Sequence, residues 1–337
     1  MKIVAFLNPK AGVGCTSLVY HLAWMYSELG YRVVAVDADP QADLSGMFLG
    51  FDEAPWLRSD DPNTAAAASL GHALKYGVAN DGREYTRAIA SNLDFVASSY
   101  LFLEHLMQAA GAQTLRNPLS TDPRPPSLAR FRRLLLTIAA AKETDLILVD
   151  AGAGISASAC LATVSSDSLI IPTSPDTPSG VGLHELLREH QLWLQSWRAF
   201  VANVTSSVAD PGPNHLVDGL SINDRSWLGD GPSLLGYVLT SEAYYGSFLL
   251  SSQTSQSQQR TGMTEWLAQE GNVERLGALR RHPSLRDLSL QARKPMFALT
   301  PADGALGSIT VAVQRCRSEY TELARHIADR LGLAAPH

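Results

Sequence analysis

A chain of 337 residues with 45% apolar and 18% charged residues can build one large α/β domain or two smaller ones. Its net charge of −6 excludes a chain that is basic throughout and leaves room only for a local basic face. Three isolated cysteines, Cys15, Cys160 and Cys316, form no Cys-x-x-Cys pair, which argues against a disulfide framework or a zinc site and fits a reducing cytosol. No apolar run reaches the roughly 20 residues that span a bilayer. The chain opens on a strand rather than a basic and then apolar leader, so a cytoplasmic protein without membrane contact is expected.

In chain order, short β-branched runs alternate with helical stretches. Strands are predicted over 3–7, 33–36, 93–97, 146–150, 168–172, 235–239 and, last, 295–299. Helices are predicted over 16–29, 71–74, 101–110, 128–141, 181–198, 263–268 and 309–331. This alternation predicts βαβ units in a doubly wound, mostly parallel sheet flanked by helices. Segments 52–63, 117–126, 209–230 and 251–259 read as loops inserted into one domain covering 1–337; the last is polar and low in complexity. In such a sheet, ligands bind beyond the carboxyl ends of the strands, where 8–16, 37–41, 150–154, 172–176 and Thr240 fall.

The first strand runs into Asn8-Pro9-Lys10-Ala11-Gly12-Val13-Gly14-Cys15-Thr16-Ser17 and then an apolar helix. A strand, a Gly-rich turn and a helix N-terminus place backbone N–H groups around a phosphate chain. In G-x-x-x-x-G-K-[ST] the residue before Thr is a lysine that reaches the outer phosphates, and here it is Cys15. Gly12 and Gly14 allow close approach of the backbone, and Thr16 offers a hydroxyl to Mg²⁺. The alternative is an ordinary turn capped by Thr16 or Ser17. Asp37 and Asp39 end the second strand and Asp150 ends an apolar strand; Asp150 suits a metal held through water, or else a strand-end carboxylate accepting from backbone. Asp39-Pro40 also initiates turns.

Lys10 to Ser17 resembles the deviant Walker A loop, K-G-G-x-G-K-[ST]-[ST], of ParA/MinD-type ATPases of the SIMIBI class. Asp37-Ala38-Asp39-Pro40-Gln41-Ala42-Asp43-Leu44-Ser45 is similar to the D-x-D-P-Q segment of the ParA branch, and 145–150 resembles the Walker B strand. Lys294-Pro295-Met296-Phe297 and Pro301-Ala302-Asp303-Gly304-Ala305 resemble the late segment before the family's last helix. The resemblance implies a P-loop fold that binds ATP and Mg²⁺. Nucleotide contacts would come from Lys10, Ala11, Gly12, Val13, Gly14, Cys15, Thr16, Ser17, Pro301 and Asp303. The metal would lie at Thr16, Asp37 and Asp150, and Asp39 would position the attacking water. Lys10 matches the signature lysine that reaches across a homodimer to the partner's phosphates, and it could instead fold back in cis.

Three departures weigh against turnover: Cys15 for the loop lysine, Ala11 for a glycine, and Ala151-Gly152-Ala153-Gly154 without the usual proline after Asp150. A charge-assisted hydrogen bond to phosphate contributes roughly 1.5–3 kcal/mol, whereas removing a transition-state cation costs on the order of 10³–10⁵ in rate. Binding therefore survives the change better than hydrolysis does. Ala11 matters only if that position needs a positive φ or lies against the ligand. Cys15 reads either as a thiol activated at a helix N-terminus beside Lys10 or as a small filler. The scattered histidines show no metal-ligand spacing.

Family members bind DNA non-specifically through basic side chains. Two stretches could serve, one with Arg130, Arg132 and Arg133 in a helix, the other, the better candidate, with Arg275, Arg280, Arg281, Arg286, Arg293 and Lys294, for which a solvated helix face is the alternative. Two functions are carried forward. One is an ATP-dependent dimerisation switch in DNA partitioning or cargo positioning, with a ParB-like or adaptor partner and weak or absent hydrolysis. The other is a pseudo-ATPase scaffold that does not depend on nucleotide.

Overall fold

The computed structural model describes residues 1–50, 70–76, 82–99, 102, 127–174, 180–206, 216–217, 220–221, 231–242 and 273–336. The predicted helices 101–110 (Phe102 apart) and 263–268 and the predicted loops 52–63, 117–126 and 251–259 lie outside these residues, as does nearly all of 209–230.

The sheet grows outwards from β1 (Lys2–Asn8), which pairs in parallel with β5 (Leu146–Ala153) on one side and β6 (Ser168–Thr173) on the other. Beyond β5 come β2 (Val33–Asp37), β4 (Leu93–Val96) and β3 (Arg87–Ala90); beyond β6 come β9 (Ser233–Glu242) and β10 (Arg275–Arg280). All seven pairings are parallel except that of the short edge strand β3 with β4. A separate two-stranded ribbon joins β7 (Leu216–Val217) and β8 (Leu220–Ser221).

Side chains of β1 alternate between two cores. Ile3, Ala5 and Leu7 join one packed by α4 (Ser127–Ala141), α5 (Ala157–Val164) and α6 (Gly180–Ser206). Val4 and Phe6 join the other, packed by α1 (Cys15–Glu28) and the C-terminal helix α8 (Ser308–Leu331). Because both faces are covered, the central strands are apolar along their whole length instead of alternating with polar residues. The core is tied across the chain by the buried Tyr26 hydroxyl, which donates to Ala324 O at 2.9 Å. Two short helices, α2 (Asp43–Leu49) and α3 (Leu70–Tyr76), follow β2.

Two expectations need correction. The predicted strand over 295–299 is a 3₁₀ turn, Met296–Ala298: Pro295 has no N–H for a ladder, and Phe297 is buried against His21 and Tyr320. The basic stretch from Arg275 is also not one helix. Arg275 to Arg280 form β10, and only 283–292 is helical, as α7 (Pro283–Ala292). In β10 the buried residues are Leu276 and Leu279, three apart, because the register with β9 shifts twice.

β10 reaches the sheet only through close contact with β9. A Cβ on Gly236 would lie 2.5 Å from the Glu274 carbonyl oxygen, a backbone atom that cannot swing aside. Gly236→Ala is therefore expected to lower stability by about 1–3 kcal/mol, read as a drop in the midpoint of a denaturant melt. An unchanged midpoint would show that this strand pair has slack.

Candidate functional site: the phosphate loop

Residues 9–14 leave the carboxyl end of β1 and return as α1. The turn is fixed by Asn8, whose side-chain oxygen accepts from the Lys10 N–H at 2.7 Å while its amide donates to Pro172 O. On the far side Thr240, from β9, donates its hydroxyl to Val13 O and to Thr173 O. Gly12 and Gly14 have φ of 80° and 88°, and a Cβ on Gly12 would meet nothing within 4 Å. Glycine is required here by backbone conformation, and the loop faces open space. Ala11 does not have a positive φ, so its methyl group brings no strain.

Gly14 is the N-cap of α1, and no side chain caps the helix. Thr16 and Ser17, expected as caps in the reading of an ordinary turn, therefore do not cap the helix. Its first-turn N–H groups are left for an anion. The loop from Lys10 to Ser17 lines a cavity of about 800 Å³ together with Asp39, Gln41, Gly152, Ser174, Thr240, Arg280 to Pro283, Arg286 and Asp287.

Beneath the loop, register places Phe6, Asp37 and Asp150 side by side on three neighbouring strands. Asp150 is fully buried. Its Oδ1 accepts from the Gly152 N–H at 3.1 Å and from the Cys15 thiol at 3.5 Å, while Oδ2 has no partner among the described residues. Burial pushes its pKa up to about 6, against the opposing pull of the Thr16 hydroxyl. Cys15 is also buried, and burial followed by the Asp150 charge raises its pKa well above the usual thiol value. Of the two readings of Cys15, this goes against the activated thiolate and agrees with the small filler. Cys15 is a neutral donor to a carboxylate.

Asp37 is equally buried, but its oxygens are in use. Oδ2 accepts from Ser45 N at 2.8 Å and Ser45 Oγ at 2.7 Å, and Oδ1 from Asp39 N at 3.0 Å. It anchors the turn into α2 rather than offering a vacant ligand. Asp39 is half-buried at the cavity wall and accepts from the Gln41 N–H at 2.9 Å. A Cβ on Gly152 would lie 2.4 Å from Asp39 Oδ2, so the proline-free segment after Asp150 is what admits this carboxylate. Gly152 and Thr240, which the sequence placed only at strand ends, both line the cavity.

Residues 1–198 match the AAA domain family (AAA_31). The chain belongs to this family. Its loop and strand-end aspartates make it a ParA/MinD-type P-loop protein. The sporulation initiation inhibitor protein Soj of Bacillus subtilis (strain 168) is 26% identical over 192 residues, covering 57% of this chain and 65% of Soj. The chain spans less than two thirds of the length of such curated relatives. Among solved structures, the Cyanothece McdA(D38A)–ATP complex superposes with a TM-score of 0.60 at 14% identity, over 99% of this chain and 97% of that one. MinD of Pyrococcus horikoshii OT3 with Mg-ADP superposes with a TM-score of 0.54 at 16% identity, over 98% and 97%. These two likenesses establish the fold.

Other predicted residues of this P-loop protein lie elsewhere. Pro301 and Asp303 do not line the cavity. Asp303 closes a capping box on Thr300 and pairs with Lys294 at 2.8 Å, which holds its pKa down at about 2. Arg132 is buried and bonded to Ser165 O and Asp167, so it is unavailable to DNA. Arg293 packs beside Gly50, away from the cavity, whereas Arg280, Arg281 and Arg286 line the cavity itself. His21 is a satisfied helix-face histidine: Nδ1 donates to Ser17 O, Nε2 accepts from Met296 N, and burial lowers its pKa to about 4.

Residues present fit a nucleotide with Mg²⁺ on two observations: an uncapped helix N-terminus facing the cavity, and a buried carboxylate oxygen without a partner beside the Thr16 hydroxyl. That same oxygen sets a pH dependence. A carboxylate near 3.9 when unfolded and near 6 when folded leaves the folded state with the extra proton between those values. Stability should therefore fall as pH rises from about 4 to about 6, by about 3 kcal/mol at most. Asp37 is shifted in the same direction. In thermal melts of the nucleotide-free protein, Asp150→Asn should flatten this slope. A slope as steep as that of wild type would show that Asp150 is not the group responsible.

Proposed function

We propose that this chain is a ParA-like nucleotide-binding protein that acts as an ATP-dependent dimerisation switch in DNA partitioning or cargo positioning, with weak or absent hydrolysis. The observation that carries this reading is the unpartnered Asp150 Oδ2 beneath an uncapped phosphate loop. Backbone N–H groups from Gly12 to Thr16 hold the phosphates, and the α1 dipole adds to their attraction. Thr16 and Asp150 hold Mg²⁺, which when bound neutralises charge on the outer phosphates. Asp39 orients a water at the cavity wall.

Low turnover follows from the electrostatics of the same residues. Cys15 is a neutral thiol donating to Asp150, so the base of the loop carries no cation where charge on the transferring phosphoryl group peaks. Cys15→Lys is expected to tighten ATP binding roughly 10-fold or more and to raise the hydrolysis rate above that of wild type.

Dimerisation rests on Lys10, which is exposed and makes no ion pair among the described residues. In a two-fold dimer with facing loops, each Lys10 would reach the partner's nucleotide, and nucleotide binding and association would strengthen each other by the same factor. Light scattering with ATP-Mg²⁺ should show a dimer for wild type and a monomer for Lys10→Ala. Wild type that stays monomeric at saturating nucleotide contradicts the switch. The scaffold reading is favoured by the Cys15–Asp150 hydrogen bond, which satisfies part of the site without ligand. Calorimetry with no heat at millimolar ATP would establish it instead.

A further inference from the structure

The cavity contains more positive charge than the phosphate loop gives it. Arg280, Arg281 and Arg286 line it, carried by the end of β10 and the first turns of α7. Arg280 is already committed: Nη1 lies 3.5 Å from Glu319 Oε1, and its backbone N–H donates to Glu319 Oε2. His282 shares that carboxylate at 3.2 Å. Arg281 and Arg286 differ. Both are exposed, both line the cavity, and neither guanidinium has an ion pair or hydrogen bond among the described residues, the Arg286 backbone N–H donating to His282 O within the start of α7. Asp287, Asp39 and Asp43 are the acids that share this space.

Two guanidinium-bearing residues thus line the same cavity as a loop whose base is a neutral thiol against a buried carboxylate. A polyphosphate with several negative charges brought to that loop meets helix-end N–H groups but no side-chain cation from the loop's own lysine position. Guanidinium groups bind phosphate oxygens through paired, planar donors and remain charged at every accessible pH. β10 reaches the cavity through its pairing with β9, the strand that also supplies Thr240 to the loop, so loop and arginines are braced by one pair of strands.

We infer that Arg281 and Arg286 supply, within the same subunit, the cationic contact to the nucleotide's phosphates that Cys15 cannot make. This rests on the nucleotide-binding reading above. It gives the arginines a different task from an outer DNA surface, although the chemistry, guanidinium on phosphate, is shared by both.

Calorimetry on the full chain separates the possibilities, using ATP-Mg²⁺ and adenosine as probes, with anisotropy of a labelled DNA duplex alongside. Arg281→Ala/Arg286→Ala should weaken ATP binding roughly 10- to 100-fold and leave adenosine unchanged. Arg281→Lys/Arg286→Lys should recover part of the loss, which also shows that the fold is intact. In a Cys15→Lys background the alanine pair should matter much less, since the loop then carries its own cation. Equal losses for ATP and adenosine would place the arginines at the base or ribose and overturn the inference. Unchanged ATP affinity would overturn it too, and loss of DNA binding alone would assign them to DNA. Wild type that binds no ATP at all would instead remove the nucleotide reading, and this inference with it.

Discussion

A carboxylate buried at the centre of the sheet sets the terms for the rest of the site. Asp150 lies within β5, between β1 and β2, where both faces of the sheet are covered and no solvent reaches it. Its ionised form is costly there unless charge or hydrogen bonds compensate. The protein supplies only partial compensation, from the Gly152 N–H, the Cys15 thiol and the nearby Thr16 hydroxyl, and leaves one oxygen without a partner. A second buried carboxylate, Asp37, pairs with it across the strands but is satisfied by Ser45 and Asp39. One aspartate thus builds the turn, and the other keeps an oxygen without a partner among the described residues.

The same constraint explains why cysteine is tolerated before Thr16. A thiol beside a desolvated carboxylate keeps its proton and donates it, so the position is filled by a small neutral donor without strain. What is lost is a cation at the point where phosphoryl transfer needs one, which separates holding a nucleotide from hydrolysing it. The cations available to the cavity come instead from Lys10 at its rim and from the wall formed by β10 and α7. A binding switch tolerates that rearrangement better than a fast enzyme does.

Local signals carried the centre of the fold well. β1, the glycine turn and α1 are contiguous, and their apolar runs and positive-φ glycines can be read residue by residue. The strand-end aspartates were visible for the same reason, but not which of them is satisfied, because Ser45 reaches Asp37 only through the geometry of α2. The edges were harder. β10 buries Leu276 and Leu279 three residues apart, a helical spacing produced by its irregular register, so its arginines read as part of a helix. Their place with the phosphate loop depends on a strand order that brings residues some 270 positions apart to one cavity. Asp303 shows the opposite case: the family motif is present, but its carboxylate is engaged by Lys294 and Thr300 and it does not line the cavity.

Metal dependence of ATP binding in wild type and Asp150→Asn tests the central claim most directly. If Asp150 Oδ2 holds Mg²⁺, the wild-type affinity for ATP rises with Mg²⁺, and the Asn variant loses most of that rise while still binding ATP alone. An equal response to Mg²⁺ in both proteins would contradict the assignment of the buried carboxylate as the metal's anchor.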